Sequence, residues 1–332
     1  QYAAPPSAGA QSPRPQRPRL SMLHKPNHIP LSLAIAPKIP YNDTQRRQHA
    51  RRVTIYEEAT MGRFLNPGNG GFESIISEDT YVDKTGIIGY LNRWLNKSTR
   101  YVCVSRARRF GKTVAAQTIQ AYYDNSCDSH DLFAPYEIAR DPSYEAHINK
   151  YDVIGLDVQT FFQFSQDHKT FVERLERAVR DEVCDKWSSI DGLDEMTLAD
   201  ALATVHETTG AKFVFVIDEW DAVFRYYPND EELQKKWIHF LRDMFKQVAM
   251  NPCVALVYMT GILPVKKYKT QSSLNQFFEY TMLRPLELEK FVGFLPAEVD
   301  ALCEKFDMDR AEAAQWYDGY VLPHEHHVYN PC

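Results

Sequence analysis

The stretch RYVCVSRARRFGKTVAAQTIQAYYD, residues 100–124, decides the fold, because it places a strand pattern, a basic turn and a helix pattern in direct succession. RYVCVS (100–105) is a short apolar run of the kind that forms a buried strand. TVAAQTIQAYYD (113–124) has apolar residues at helical spacing. The order of these segments predicts a strand that enters a turn and leaves it as a helix.

The turn between them ends like a phosphate-binding loop, with Gly111, Lys112 and Thr113 in the expected order. The strict pattern has a further glycine five places before Gly111, where this chain has Arg106. Glycine is required only where φ is positive or where a side chain would strike the phosphate. We therefore expect Arg106 to have a negative φ and an outward side chain. A basic surface turn is the alternative.

Apolar runs and amphipathic stretches alternate through the following 130 or so residues. Near-continuous apolar strands separated by helices indicate a parallel sheet covered on both faces. The prediction is a three-layer α/β/α sandwich of mainly parallel strands, followed by a helical segment. The predicted strands are 151–158, 212–221 and 253–261, and the predicted helices are 167–183, 197–209 and 230–249. The expected buried face of the last helix comprises Leu233, Trp237, Leu241, Met244, Phe245 and Val248.

Two acids and a threonine stand at the ends of these strands, where parallel sheets bind ligands. Asp218 and Glu219 end the run FVFVIDE, and Thr260 ends the run VYMT. With Lys112 and Thr113 they form the set that a magnesium-bound triphosphate needs: an ammonium, a hydroxyl, a metal-binding carboxylate and a general base. We expect Thr260 to reach the γ-phosphate or the attacking water. An acidic strand end beside a helix, and a threonine that merely caps a turn, are the alternatives.

The first 55 residues are predicted to be a disordered tail. Residues 1–52 hold nine of the 38 basic residues, one of the 44 acidic residues and nine of the 19 prolines. Such composition does not support a packed core. The tail is either a solvated leader or a contact site for nucleic acid or an acidic protein. The rest of the chain is acidic, and this argues against a broad nucleic-acid-coating surface.

No apolar run reaches the roughly 18–20 residues that span a bilayer, so no membrane partner is expected. The six cysteines are scattered without a CxxC pair, and a reducing, cytoplasmic location is the simpler interpretation. The sequence HEHH (324–327) suggests a metal site, but consecutive histidines cannot all face one ion and no cysteine flanks them. We therefore favour a turn there.

Six segments together resemble the AAA-ATPase-like family of P-loop proteins, over about residues 60–331. They are YVDKTGII (81–88), SRARRFGKT (105–113), FVIDEWDAVF (215–224), YMTGILPVKKY (258–268), SSLNQF (272–277) and WYDGY with VYNP (316–331). Arginines and phenylalanine before the glycine-lysine are usual in that family, and this places Arg106 within its pattern. The chain departs from many members at Lys269 and Gln271. Members commonly continue into a domain similar to PD-(D/E)XK nucleases.

The resemblance implies ATP and Mg²⁺ as cofactors and a P-loop fold of the additional-strand class. It implies Lys112 as the phosphate lysine of a Walker A loop, Thr113 and Asp218 as magnesium ligands, and Glu219 as the catalytic acid residue. With Thr260, the expected catalytic set is Glu219, Lys112 and Thr260. The expected cofactor-binding set is Arg106, Arg108, Arg109, Phe110, Gly111, Lys112, Thr113 and Asp218.

The predicted function is hydrolysis of Mg·ATP to ADP and phosphate, in a core over residues 56–280 followed by a truncated helical lid or linker over 281–332. Arg225 is a candidate arginine finger toward a neighbouring subunit, which would make the protein a homo-oligomer. Arg242 is a second candidate, although it fits a solvated face of its helix better. A P-loop kinase for a small acceptor and a non-catalytic, nucleotide-switched binding module remain alternatives.

Overall fold

The computed structural model describes residues 62–163, 167–265, 274–291, 293–321 and 327–330. Its centre is a five-stranded sheet in which every paired neighbour is parallel. The strands are β1 (Tyr101–Ser105), β2 (Asp152–Asp157), β3 (Phe213–Asp218), β4 (Val254–Gly261) and β5 (Phe278–Tyr280). The residues of β1, β3 and β4 are all buried, as expected for strands that are covered on both faces.

The strand order is β2-β3-β4-β1-β5. Strand β4 lies between β1 and β3, and β1 lies between β4 and β5, so the predicted additional-strand arrangement is confirmed. The register places Ser105 beside Gly261 and Asp157 beside Asp218. The carboxyl ends of β1, β2, β3 and β4 therefore meet at one edge of the sheet, which positions their following loops together.

Helices cover both faces of the sheet, and the predicted three-layer α/β/α fold is confirmed. One apolar layer packs three helices (Phe171–Lys186, Leu198–Thr209 and Glu231–Lys246) against the sheet, and the other packs three more (Gly70–Ile76, Gly86–Asn92 and Lys112–Tyr123). The α-helices up to β5 are α1 (Gly70–Ile76), α2 (Gly86–Asn92), α3 (Lys112–Tyr123), α4 (His130–Phe133), α5 (Tyr144–His147), α6 (Val158–Gln163), α7 (Phe171–Lys186), α8 (Leu198–Thr209), α9 (Ala222–Tyr226) and α10 (Glu231–Lys246).

Helix α10 begins at a side-chain cap and ends earlier than its sequence pattern predicts. The Asp230 carboxylate accepts the backbone N–H of Leu233, which supplies a partner for one donor of the first turn. Five members of the predicted apolar face are buried, but Val248 is 89 % exposed, so its assignment to that face is wrong. The reason is that the helix ends at Lys246 and the chain leaves in an extended conformation at Gln247.

The residues after β5 contain helices and a small antiparallel sheet. They form a 3₁₀ segment (Leu286–Phe291), α11 (Pro296–Phe306), α12 (Arg310–Tyr317), β6 (Asp318–Val321) and β7 (His327–Tyr329). Leu288, Phe291 and Val328 are buried in the same apolar layer as α2 and α3. The predicted tail over residues 1–55 lies outside the described residues. In the described ranges, no helix is both long and apolar enough to cross a membrane.

Candidate functional site

The turn between β1 and α3 has two residues in the left-handed conformation. Gly111, at the N-cap of α3, has a φ of 71°, and Arg109 has a φ of 66°. A side chain at Gly111 would meet no atom within 4 Å, so the backbone angle and not the available space requires glycine there. These two angles turn the chain back over the first turn of α3. The helix N-terminus, where unpaired N–H groups favour anions, follows directly.

Lys112 lies under this turn and faces an acid from the neighbouring region of the sheet. Its ammonium donates to the Ala107 carbonyl at 2.9 Å and lies 3.7 Å from Oε1 of Glu219. The side chain is only 4 % exposed. Burial lowers the pKa of Lys112, while the carboxylates of Glu219 and Asp218 act to raise it. A bound polyphosphate could replace these acids as the partner of the buried ammonium.

Asp218 is the centre of a hydrogen-bond cluster at the ends of α3, β3 and β4. Thr113 donates its hydroxyl to Oδ2 of Asp218 at 2.6 Å, and Thr260 donates its hydroxyl to Oδ1. The backbone N–H of Glu219 also donates to Oδ1, at 3.0 Å. Burial raises the pKa of Asp218, and the two hydroxyl donors lower it. Three residues that are far apart in sequence thus converge on one carboxylate.

The position of Thr260 depends on the close contact of β4 with the turn after β3. Its carbonyl accepts the N–H of Trp220 at 2.9 Å. At the next residue, Gly261, a Cβ would lie 2.6 Å from Cδ1 of Trp220. Beyond it, the buried Asp221 accepts the N–H groups of Ile262 and Leu263 at 3.1 and 2.8 Å. Glycine after the threonine is therefore required for this approach.

Glu219 has an uncommon backbone conformation and an intramolecular partner. Its φ is 53°, and its Oε2 is bound by the guanidinium of Arg225. Burial raises the pKa of Glu219, whereas Lys112 and Arg225 lower it. Arg225 is 12 % exposed, and its Nε also lies 3.3 Å from Oδ2 of Asp221, as an ion pair. The structure therefore directs Arg225 to two acids of its own chain.

A cleft of about 430 Å³ opens beside these groups. Its lining residues are Arg108, Arg109, Gly111, Lys112, Thr113, Val114, Gln159, Glu219 and Tyr226. The side chains of Arg108 and Arg109 are exposed at its rim. Three lining residues are absent from the predicted site: Val114, Gln159 and Tyr226. The position of Gln159, two residues after the carboxyl end of β2, was a usable signal, because ligands bind at that end of parallel strands.

Three residues of the predicted cofactor-binding set do not line the cleft: Arg106 and Phe110 lie behind the turn, and Asp218 is buried against the lining residue Thr113. Thr260, of the predicted catalytic set, is buried and does not line it either.

Arg106 is 1 % exposed, and its side chain donates to the Ser105 and Tyr280 carbonyls. The expectation of an outward side chain is therefore wrong, because the guanidinium finds its acceptors at the end of the sheet. Phe110 is fully buried against Tyr320.

Of the other predicted features, Arg242 does not line the cleft. Arg242 is 43 % exposed and pairs with the neighbouring Asp243 at 3.4 Å. Residues 324–326 of the histidine-rich stretch, together with Lys269 and Gln271, lie outside the described residues.

The donor set fits a hydrated magnesium ion together with a polyphosphate. Mg²⁺ prefers oxygen ligands and usually retains several waters, so that proteins supply one or two groups and the phosphates supply others. Thr113 and Asp218 offer one hydroxyl and one carboxylate whose oxygens are already 2.6 Å apart. The ammonium of Lys112 and the N-terminus of α3 lie beside them, where phosphate oxygens would require positive charge.

The sheet order, the left-handed glycine before the lysine, and the acid at the end of β3 define the class of P-loop proteins. The family model described as "Predicted AAA-ATPase" matches residues 68–270. This match covers more than half of the chain, and the chain therefore belongs to that family, as its sequence motifs predict. A comparison with curated proteins found no match.

Proposed function

We propose that this protein binds Mg·ATP in the cleft and hydrolyses it to ADP and phosphate. The observation that supports this most is the convergence of Lys112, Thr113, Asp218 and Glu219, in which Nζ of Lys112 lies 3.7 Å from Glu219 and the Thr113 hydroxyl lies 2.6 Å from Asp218. Each group suits one requirement of phosphoryl transfer, which depends on positioning and on charge stabilisation.

We assign the roles by contact and charge. Lys112 would bind the β- and γ-phosphate oxygens, and Thr113 and Asp218 would hold magnesium, whose charge offsets that of the phosphates. Glu219 would orient and deprotonate the attacking water, because its raised pKa brings it closer to the operating pH of a general base. Thr260 would fix Asp218 in place through its hydroxyl and lie near the γ-phosphate.

We assign Arg225 a role within its own chain. In the structure its guanidinium pairs with the carboxylates of both Glu219 and Asp221. Water activation would require Glu219 to be shared with, or released from, this guanidinium. This role replaces that of a finger acting on a neighbouring subunit, since a side chain that is 12 % exposed and already paired has little reach beyond the chain.

Two substitutions test the proposal, and the chain offers a matched control for each. Lys112→Ala is expected to abolish Mg·ATP binding, measured by isothermal titration, because it leaves the phosphates without their buried cation. Glu219→Gln is expected to retain binding and to lose turnover, by roughly a hundredfold or more, since general-base catalysis contributes about 10²–10⁴ in rate. The controls are Lys236→Ala and Glu173→Gln, which break an exposed ion pair of 2.9 Å in place of the buried one.

If Lys112→Ala binds Mg·ATP with the affinity of the wild type, the assignment of the cleft as the nucleotide site is refuted. Product analysis separates hydrolysis from kinase activity, because an ATPase releases free phosphate with no acceptor present. A protein that binds Mg·ATP but releases no phosphate and phosphorylates no acceptor would be the nucleotide-switched binding module.

A further inference from the structure

Two residues of the phosphate loop face away from the cleft: Arg106 contacts β5, and Phe110 contacts the part of the chain after β5. We call the described residues 286–291, 293–321 and 327–329 the rear segment. None of its residues lines the cleft described above. Its contacts with the loop are nevertheless direct, and they involve both a side chain and the backbone of Phe110.

Phe110 is held on two sides by the rear segment. Its ring packs edge-to-face on Tyr320, with ring centres 4.9 Å apart and an interplanar angle of 84°. Its carbonyl accepts the N–H of Gly293 at 3.1 Å. Gly293 has a φ of 91°, and a Cβ there would lie 2.9 Å from Cδ1 of Phe110 and 2.5 Å from Cγ1 of Val328. Glycine therefore allows the rear segment to approach the loop this closely.

Arg106 makes a second connection at the base of the same loop. Its backbone N–H continues the pairing of β1 with β4 by donating to Gly261 at 3.0 Å. Its buried guanidinium donates to the carbonyl of Tyr280, the last residue of β5, at 3.1 Å. The start of the loop, at Arg106, therefore contacts β5, and the end of the loop, at Phe110, contacts the chain after β5.

The rear segment is also fixed to the rest of the protein independently of Phe110. Lys84 donates to Glu298 at 2.6 Å and to the backbone carbonyl of Lys290 at 2.8 Å. A change at Tyr320 would therefore remove support from the loop while the segment keeps its other attachments. This makes Tyr320 a suitable position to test the loop contact by itself.

We propose that the rear segment is a positioning element of the nucleotide site, which holds the phosphate loop in its binding conformation through Phe110, while Arg106 anchors the start of the loop to β5. The inference rests on the proposed function, since it concerns the same cleft. The left-handed residues Arg109 and Gly111 flank Phe110, and a buried ring between them fixes both turns of the loop. By thermodynamic linkage, a nucleotide that binds the ordered loop stabilises the rear segment in return.

The test compares three substitutions in the full chain. Tyr320→Ala removes the ring that packs on Phe110, and is expected to raise the Kd and KM for Mg·ATP about three- to tenfold, as the loss of one aromatic pair implies. The value of kcat should stay within about twofold, because the groups around Glu219 and Asp218 are untouched. Tyr320→Phe retains the ring and should restore the affinity. Trp316→Ala removes a 74 % exposed aromatic side chain of the same segment and should have no effect.

A second measurement does not depend on nucleotide binding. Amide hydrogen exchange of the peptide that spans residues 106–113 should be faster in ligand-free Tyr320→Ala than in the wild type, and unchanged in Trp316→Ala. If Tyr320→Ala does not fold, Tyr320→Leu replaces it, because it fills part of the space without an aromatic edge.

The outcomes separate the two proposals. If Lys112→Ala loses ATP binding while Tyr320→Ala keeps wild-type affinity and exchange, the rear-segment inference is overturned and the proposed function stands. An equal loss of affinity in Trp316→Ala also overturns it, since the effect would then be general destabilisation. If the wild type itself binds no ATP, the proposed function fails, and the exchange rate of the loop alone decides the inference.

Discussion

Replacement of Asp221 by alanine is expected to lower the free energy of unfolding by about 3–5 kcal/mol. Asp221 is fully buried and accepts two backbone N–H groups, of Ile262 and Leu263. Hydrogen bonds to a charged group contribute about 1.5–3 kcal/mol each, and removal of one partner of a buried ion pair costs about 3–5 kcal/mol. These costs overlap, because Arg225 retains its contact with Glu219. The two costs are therefore not added, and the expected loss is about 3–5 kcal/mol, the cost of breaking the ion pair alone.

Two variants set the scale of this effect. Asp221→Asn keeps an oxygen that can accept both N–H groups and loses only the charge, so we expect a cost of about 1–2 kcal/mol. Asp243→Ala removes the same side chain from a 44 % exposed position beside Arg242, and is expected to cost at most about 0.5 kcal/mol.

Urea unfolding followed by circular dichroism, with linear extrapolation, measures all three variants. Native stabilities of about 5–15 kcal/mol leave the alanine variant largely folded in water, so its curve can be fitted. An alanine variant within about 1 kcal/mol of the wild type, or one no worse than Asp221→Asn, would refute the argument that Asp221 holds the turn after β4.

Two further predictions concern the loop and the buried carboxylate. Gly111→Ala should lower the free energy of unfolding by about 1–2 kcal/mol and weaken ATP binding, because a φ of 71° disfavours a residue with a Cβ even where the surrounding space is open. Gly70→Ala is the control, since it lies at a helical position with equally open space and should be neutral or stabilising in the same unfolding assay. Thr260→Val removes a hydroxyl that lowers the pKa of Asp218, so the raised pKa should rise further. The stability that a protonated Asp218 contributes is complete below the ordinary carboxyl pKa of about 3.9, and is lost as the pH rises through the folded-state pKa. Melting temperatures of the variant should therefore begin to fall at the same pH as those of the wild type and continue to fall to a higher pH, and parallel curves between pH 4 and 8 would contradict this assignment.

Much of the sheet could be predicted because each strand carries its own signal. The runs that became β1 and β3 are apolar up to their last residue, as burial on both faces of a parallel sheet requires. Strand β5 was not predicted, since three residues are too short for a periodic pattern and its place beside β1 depends on pairing. The exposure of Val248 was missed for a related reason, because the periodic pattern continues past the residue where the helix ends.

The candidate site, like the sheet, was predictable from the sequence only in part. The order of Gly111, Lys112 and Thr113, and the acids after β3, follow from local sequence, because a loop before a helix and an acid after a strand are local features. Their convergence was an inference from topology, and in the structure the ammonium of Lys112 lies 3.7 Å from Oε1 of Glu219.

The sequence by itself determined the class of fold and the chemical groups at the cleft, since strand burial, helix phase and the left-handed glycine are set within a few residues. Only the tertiary structure decided which partners those groups have. The inward course of Arg106, the pairing of Glu219 with Arg225, and the contact of Phe110 with Tyr320 each join positions that the sequence does not link. Such contacts depend on how the layers pack around the sheet, because a side chain turns toward whichever acceptor or apolar surface the completed fold places beside it.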